Sequence, residues 1–264
     1  MLTEVKNQIK VSLLSIKYGL HREMLNKVTF FSNIIFMILN NAAFLVQWLI
    51  IFSLKDNIGG YGIKQVILLW GLASGTFGVA HFFFKEAFNL SEDINTGKLD
   101  NYLIQPKNVL LSLITSSVEV SAIGDLLYAY IMLFLYGITL KNFILFTFFC
   151  IVGGIIMVCL TVITASLSFW FGKVELLSHT LNTFITSFST YPEGIFKGFI
   201  KVIFYTLIPI GFISYLPVNI LTTFHYTKIL IVLGVTLLSI VLTFIVFYKG
   251  LKKYSSSNLM NVRI

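Results

Sequence analysis

The sequence predicts an all-α membrane protein that crosses the bilayer several times, and three observations indicate this class. Hydrophobic residues make up 57% of the 264 positions, and charged residues only 11%. A soluble domain carries about 25% charged residues, so this chain cannot cover a soluble surface. The apolar residues are also gathered into runs of the length that a membrane-spanning helix needs, about 20 residues.

The net charge of +8 fits a membrane protein better than a nucleic-acid binder. Lysines and arginines are spread over the polar stretches between apolar runs, so no nucleic-acid partner is expected. Cys150 and Cys159 lie about 13 Å apart along one predicted helix, too far for a disulfide with each other. The four histidines are scattered, and no metal site is expected.

Residues 1–27 predict an amphipathic helix on an anionic membrane surface, so membrane lipid is an expected partner. The residues that share its apolar face are Val5, Ile9, Leu13, Ile16 and Leu20, and those on its basic flank are Lys6, Lys10 and Lys17. A solvated tail is the alternative interpretation, and the helical periodicity favours the helix.

Apolar runs predict the membrane spans after this helix. Their approximate ranges are 28–54, 63–84, 109–137, 143–171 and 228–248. The first carries Asn40, Asn41 and Gln47, amides that either hydrogen-bond to neighbouring helices or line a substrate path. The third carries Glu119 and Asp125. Acids inside a span are functional candidates, but hydrogen bonding between helices is favoured here over a proton relay.

The stretch after the fourth span is ambiguous. Residues 173–191 are only moderately apolar, and Pro192, Pro209 and Pro217 interrupt the apolar segment between 191 and the last span. Prolines break helices, so 193–224 predicts two short broken helices that dip into the membrane.

Basic residues predict the orientation. Six spans with both termini inside place 13 of the 19 lysines and arginines in the cytoplasm. Lys197 and Lys201 then lie outside. A fifth span at about 199–220 would move both inside, and the residues alone slightly favour that alternative.

A polar loop, residues 85–108, separates the second and third predicted spans. Ser91 can cap a short helix with Glu92 and Asp93 in its first turn, and Gly97 can end it.

The apolar residues of this loop suggest how it is held. Ile94, Leu99 and Leu103 can anchor the helix on the protein, which leaves the acids facing a partner. A solvated turn is the alternative.

Three stretches carry a resemblance to a known family. The first is the loop pattern E-x4-G-x-L-D-x2-L-x2-P, formed by Glu92, Gly97, Leu99, Asp100, Leu103 and Pro106. The second is Tyr191-Pro192 followed by IFKGFIKVIFYTLIPIGFISYLP, and the third is the C-terminal GLKKYSSSN. Together they resemble ABC-2 type (type-2 ABC exporter) permeases, in particular their compact six-span bacterial branch.

The resemblance implies a fold. Its features are six transmembrane helices, an N-terminal interfacial helix, a cytoplasmic coupling helix in the 85–108 loop, and re-entrant helices before the last span. Under it the fifth span is 173–191, and 193–224 is the re-entrant segment. It also implies a multi-pass protein of the bacterial plasma membrane with both termini cytoplasmic.

The resemblance implies a function and partners as well. Such permeases form a homodimer, or a heterodimer with a similar permease, and each subunit docks on an ABC ATPase that holds ATP and Mg. This chain has no G-x4-G-K-[ST] motif, so we expect no catalysis and no cofactor in it. The ATPase-coupling residues would be Glu92, Asp93, Gly97, Leu99, Asp100, Leu103 and Pro106.

The expected activity is export of an amphipathic or lipid-like substrate, such as an antimicrobial peptide, a drug or a lipid. The spans that the family brings to its dimer seam predict a substrate path. Its candidate residues are Asn40, Asn41, Gln47, Thr183, Thr186 and Ser187.

Two other function classes remain open. A secondary transporter or channel driven by an ion gradient would use the broken segment 193–224 and the acids Glu119 and Asp125. A passive immunity or scaffold protein in the membrane would need neither the broken segment nor these acids. Co-purification of an ATPase separates the exporter from both.

Overall fold

The computed structural model describes residues 2–255 as a bundle of helices. The helices are α1 Leu2–Glu23, α2 Lys27–Leu54, α3 Ile63–Phe84, α4 Leu90–Asn95, α5 Asp100–Leu103, α6 Val109–Ile114, α7 Ser121–Tyr136, α8 Leu140–Ser166, α9 Ser168–Phe171, α10 Glu175–Phe188, α11 Phe199–Thr206, α12 Leu216–Thr222 and α13 Tyr226–Leu251. Short 3-10 turns occupy Lys85–Phe88 and Glu193–Ile195, and a π-helical turn occupies Gly211–Tyr215. Residues 256–264, which include part of the GLKKYSSSN stretch, lie outside the described residues.

Four helical segments in the described part of the chain are long and apolar enough to cross a membrane. They are Lys27–Leu54, Ile63–Asn95, Leu140–Phe171 and Tyr226–Leu251. They coincide with the first, second, fourth and last predicted spans. Counting the bent pair α11 and α12 as one span gives five, so six spans are not confirmed by helix length and composition.

The prediction of one continuous third span over 109–137 is wrong. The chain leaves the helix after Ile114 and resumes it at Ser121, giving α6 and α7. Polar side chains in the break find partners outside the helix: Ser117 donates a hydrogen bond to Glu86, and Lys85 lies 2.8 Å from Glu119. These contacts stabilise the break, where the regular helical backbone bonds are lost.

The segment predicted as the fifth span, 173–191, forms the 14-residue helix α10. Such a helix is about 21 Å long, shorter than the roughly 30 Å hydrocarbon core of a bilayer. It is joined to α8 by a polar contact, in which Thr161 Oγ1 donates to Asn182 Oδ1 at 2.7 Å.

The proline-rich segment forms two short helices, as its sequence suggests. The helical segments Phe199–Thr206 and Gly211–Thr222 are bent by 77° relative to each other, as in a broken span or a re-entrant loop. Pro209 lies at the bend, and Pro217 stands in the first turn of α12. Tyr215 fixes this segment to α10 because its hydroxyl donates to the Phe188 carbonyl at 2.9 Å.

Helix α3 lies at the centre of the bundle, between α7 and α8. Glycines allow the close approach: a Cβ added at Gly71 would lie 2.9 Å from Met132 Cβ, and one at Gly78 would lie 2.8 Å from Leu126 Cγ. Helices α2 and α13 lie at the periphery, α2 against α7 and α13 against α8, with much of their apolar surface exposed.

Helix α1 contacts the protein through its polar side. Gln8 accepts a hydrogen bond from the Asn108 backbone N–H at 3.0 Å and donates one to Ser112 at 3.2 Å. Val5 and Ile9, on the predicted apolar face, are exposed. The first half of the apolar stripe is therefore free to lie against a membrane surface, whereas Leu20 at its end packs against the buried cluster of Phe30, Ile34 and Val120.

Candidate functional site

A cavity of about 320 Å³ lies between α2, α3, α7 and α10. Five of the six residues predicted for a substrate path line it: Asn40, Asn41 and Gln47 from α2, and Thr186 and Ser187 from α10. The sixth, Thr183, is not among the lining residues, and its hydroxyl donates to the His179 carbonyl within α10. Amides of α2 and hydroxyls of α10, far apart in the sequence, therefore line the same cavity.

The α2 residues reach the cavity together because of their spacing. Asn40, Phe44, Gln47 and Trp48 stand at helical intervals, so they share one face. The opposite face of α2 carries large apolar side chains that are exposed in the single chain, among them Ile35.

Asp125 of α7 is the acidic residue of the cavity, and only 3% of its surface is exposed. Its Oδ1 accepts a hydrogen bond from Asn41 Nδ2 at 2.7 Å, and its backbone carbonyl accepts one from Ser74 Oγ at 2.9 Å. These bonds are the helix-to-helix contacts expected for this acid. Its second oxygen, Oδ2, has no hydrogen-bond partner among the described residues.

Aromatic side chains form much of the cavity wall. The rings of Phe44 and Trp70 are stacked with centroids 5.6 Å apart, and Trp48 meets Tyr191 edge to face at 5.7 Å. The indole N–H of Trp70 finds no acceptor within the described chain. Sequence reasoning missed this wall, although the helical spacing of Phe44 and Trp48 with the amides of α2 was visible.

The polar loop, residues 85–108, is held together by a buried ion cluster that sequence reasoning also missed. Lys98 Nζ lies 3.0 Å from Asp93 Oδ1 and also contacts Glu86, and both carboxylates are buried. Partial desolvation lowers the pKa of Lys98, but its hydrogen bonds to Glu86 and Asp93 outweigh this and hold that pKa above its usual value. Lys98 therefore stays charged.

The loop helix begins earlier than predicted. Asn89 is the N-cap residue of α4, and Ser91 lies inside the helix with its hydroxyl 2.7 Å from that of Ser168. The predicted cap at Ser91 is wrong because this buried contact takes up its side chain. Glu92 and Asp93 do stand in the first turn, and Gly97, with φ of 77°, lies just beyond the last turn.

The loop presents fewer acids to the outside than predicted. Ile94 and Leu99 are buried in the core, but Leu103 is 41% exposed, so its predicted anchoring is wrong. Asp93 pairs inward with Lys98, and Asp100 accepts a hydrogen bond from the Tyr254 hydroxyl at 2.8 Å. Both acids are drawn towards partners on the protein itself.

The exposed part of the loop includes Glu92 and an apolar end. That end contains Leu103, Ile104, which is 84% exposed, and Pro106. We call these four residues the loop surface. A role in coupling to an ATPase stays a prediction for these residues and for the rest of the predicted set.

Comparisons with known proteins bear on the chain as a whole. A family profile described as "ABC-2 family transporter protein" matches residues 37–258. The match takes in most of the chain, including the cavity and the loop surface. Neither a curated protein nor a solved structure shows a match to the chain. Within residues 2–255, no group of three or more His, Cys, Asp or Glu residues is placed to hold a metal ion.

Proposed function

The chain belongs to the ABC-2 family of transporter proteins, and on that premise we propose that it is the membrane permease of an ATP-driven exporter. The observation that carries the proposal is the cavity between α2, α3, α7 and α10, where polar groups of two helices meet aromatic walls. A mostly apolar site with a few placed polar groups suits an amphipathic or lipid-like substrate. Such a substrate would leave a bacterial cell through this permease.

The proposed topology has six crossings with both termini in the cytoplasm. The crossings are α2, α3, α7, α8, α10 and α13, with α11 and α12 forming a re-entrant pair. The shorter helices α7 and α10 would cross with the help of local bilayer thinning, which costs only a fraction of a kcal/mol per ångström of mismatch. The exposed first half of the apolar stripe of α1 and the basic flank of the helix would lie on the cytoplasmic leaflet.

The proposed partners are an ABC ATPase and a second permease. The ATPase would hold ATP and Mg and would dock on the loop surface, where Glu92 offers a charge and Ile104 an apolar contact. The ion cluster of Lys98 supports this role because it ties the loop to the break before α7, a helix of the cavity. The exposed apolar face of α2 would lie near the second permease, either an identical chain or a similar one.

Purification of the tagged chain from bacterial membranes tests the proposal. We expect an ATPase subunit to co-purify, and inside-out vesicles that contain the complex should accumulate an amphipathic dye only when ATP is supplied. An ion-gradient transporter would instead accumulate dye without ATP and lose that activity on addition of an uncoupler. A chain that purifies without an ATPase would contradict the proposal.

A further inference from the structure

We propose that the cavity selects amphipathic substrates that carry a positive charge. This inference rests on the proposed function in one respect, namely that the cavity is where substrate binds. It goes further by naming the charge that the cavity recognises.

The first argument is the unsatisfied acid. Asp125 is only 3% exposed, yet it lines the cavity, and its Oδ2 has no hydrogen-bond partner among the described residues. A buried carboxylate with one unpaired oxygen is unfavourable when ionised and otherwise takes up a proton, so a cation in contact with Oδ2 would stabilise its ionised form. None of the residues that line the cavity is a lysine, arginine or histidine. A cation paired with Asp125 would therefore come from outside the described lining, and we assign it to the ligand.

The second argument is independent and comes from the aromatic wall. Trp48 and Trp70 both line the cavity, together with Phe44, Phe77 and Tyr191. The face of an aromatic ring attracts a cation, tryptophan most strongly, and the attraction grows when the site is shielded from water. An acid beside several aromatic rings therefore favours an ammonium group over a neutral or anionic one.

The volume limits what enters. A cavity of about 320 Å³ is at the lower end of the range for sites that hold a drug-sized ligand. It can take the cationic head of an amphiphile, or one basic side chain of a longer molecule. The apolar remainder would lie along the exposed face of α2.

The position of the tryptophans gives a direct measurement. The chain has three, Trp48, Trp70 and Trp170, and the first two line the cavity. In a Trp170→Phe background, the tryptophan fluorescence of the full chain in lipid nanodiscs reports on the cavity alone. The probes are benzyltrimethylammonium and phenylmethanesulfonate, which have similar size and opposite charge.

We expect a saturable fluorescence change with the cation, and an affinity for the anion at least tenfold weaker. Asp125→Asn keeps an oxygen that can accept the hydrogen bond from Asn41, and it should weaken cation binding at least tenfold, or about 1.4 kcal/mol. Glu175→Gln, the same change at an exposed acid at the start of α10, should leave cation binding unchanged.

Equal affinities for the two probes in the unsubstituted cavity would overturn the proposal, and that comparison needs no change at Asp125. Undiminished cation binding by a folded Asp125→Asn chain would overturn it as well. The titration uses no ATPase, so a result against cation selection would not contradict the proposal of an ATP-driven exporter. A chain that binds the cation but never associates with an ATPase would fail the exporter proposal alone.

Discussion

Lys98→Met should loosen the polar loop, residues 85–108, while leaving the helix bundle intact. The substitution keeps much of the apolar stem of the side chain and removes the ammonium group that contacts Glu86 and Asp93. Both carboxylates are buried, so each would be left without its cation. The loop can expose these unpaired carboxylates to water by opening locally.

The structure sets the size of the effect. Breaking a buried ion pair by removing one partner costs about 3–5 kcal/mol. The Lys98 side chain is 46% exposed, so solvent already screens its contacts and the full figure does not apply. We expect about 2 kcal/mol, which corresponds to roughly a 30-fold increase in local opening.

Hydrogen–deuterium exchange of the chain in nanodiscs measures this opening. Peptides from α4 and α5 should exchange roughly 30-fold faster in Lys98→Met, and peptides from α13 should be unchanged. Lys107→Met is the matched control, because this lysine of the same loop makes no ion pair in the described structure. Adding Glu86→Gln and Asp93→Asn to Lys98→Met should recover part of the protection, since neutral groups tolerate burial better.

Exchange of α4 and α5 within about twofold of the unsubstituted chain would refute this reasoning, since the expected change is roughly 30-fold. Equal acceleration in Lys107→Met would refute it too, because the effect would then come from loss of any positive charge in the loop.

Other predictions concern docking and topology. Glu92→Lys should reduce ATPase capture at least tenfold in a pull-down, because this acid faces outward. Asp100→Lys should instead break the contact with Tyr254, so hydrogen–deuterium exchange in α5 should become faster. Normal capture by Glu92→Lys would remove that residue from the docking site. With Cys150 and Cys159 replaced, cysteines at Lys197 and at His225 should both react with an impermeant reagent from outside. Reaction of either position only from the cytoplasm would show that α11 and α12 cross the membrane.

Sequence periodicity was sufficient to predict those helices whose limits are set by their own residues. The ranges of α2 and α3 agree with long apolar runs, and the amides within α2 were recognisable as groups that need a polar environment. That they meet Thr186 and Ser187 in one cavity could be anticipated only through the family resemblance.

The features that the sequence did not predict depend on contacts between side chains of different segments. The break before α7 is stabilised because Glu86 and Lys85 of the loop satisfy Ser117 and Glu119. Asp100 points inward because Tyr254, 154 positions away, donates to it. No local sequence pattern predicts contacts of this kind. The continuous third span and the outward orientation of Asp93 and Asp100 were therefore predicted wrongly.

The central claim is that substrate moves through the cavity when the partner ATPase turns over. Asn40→Trp tests it most directly, because Asn40 lines the cavity, whereas the neighbouring Asn41 also holds Asp125 through a hydrogen bond. Leu237→Trp is the control, since Leu237 is exposed on α13, a helix that does not line the cavity.

The measurement is ATP-dependent accumulation of a fluorescent styrylpyridinium cation by inside-out vesicles that contain the complex. The account predicts that Asn40→Trp assembles with the ATPase but accumulates dye at least tenfold more slowly, while Leu237→Trp matches the unsubstituted chain. An assembled Asn40→Trp complex that accumulates dye at the unsubstituted rate would contradict it.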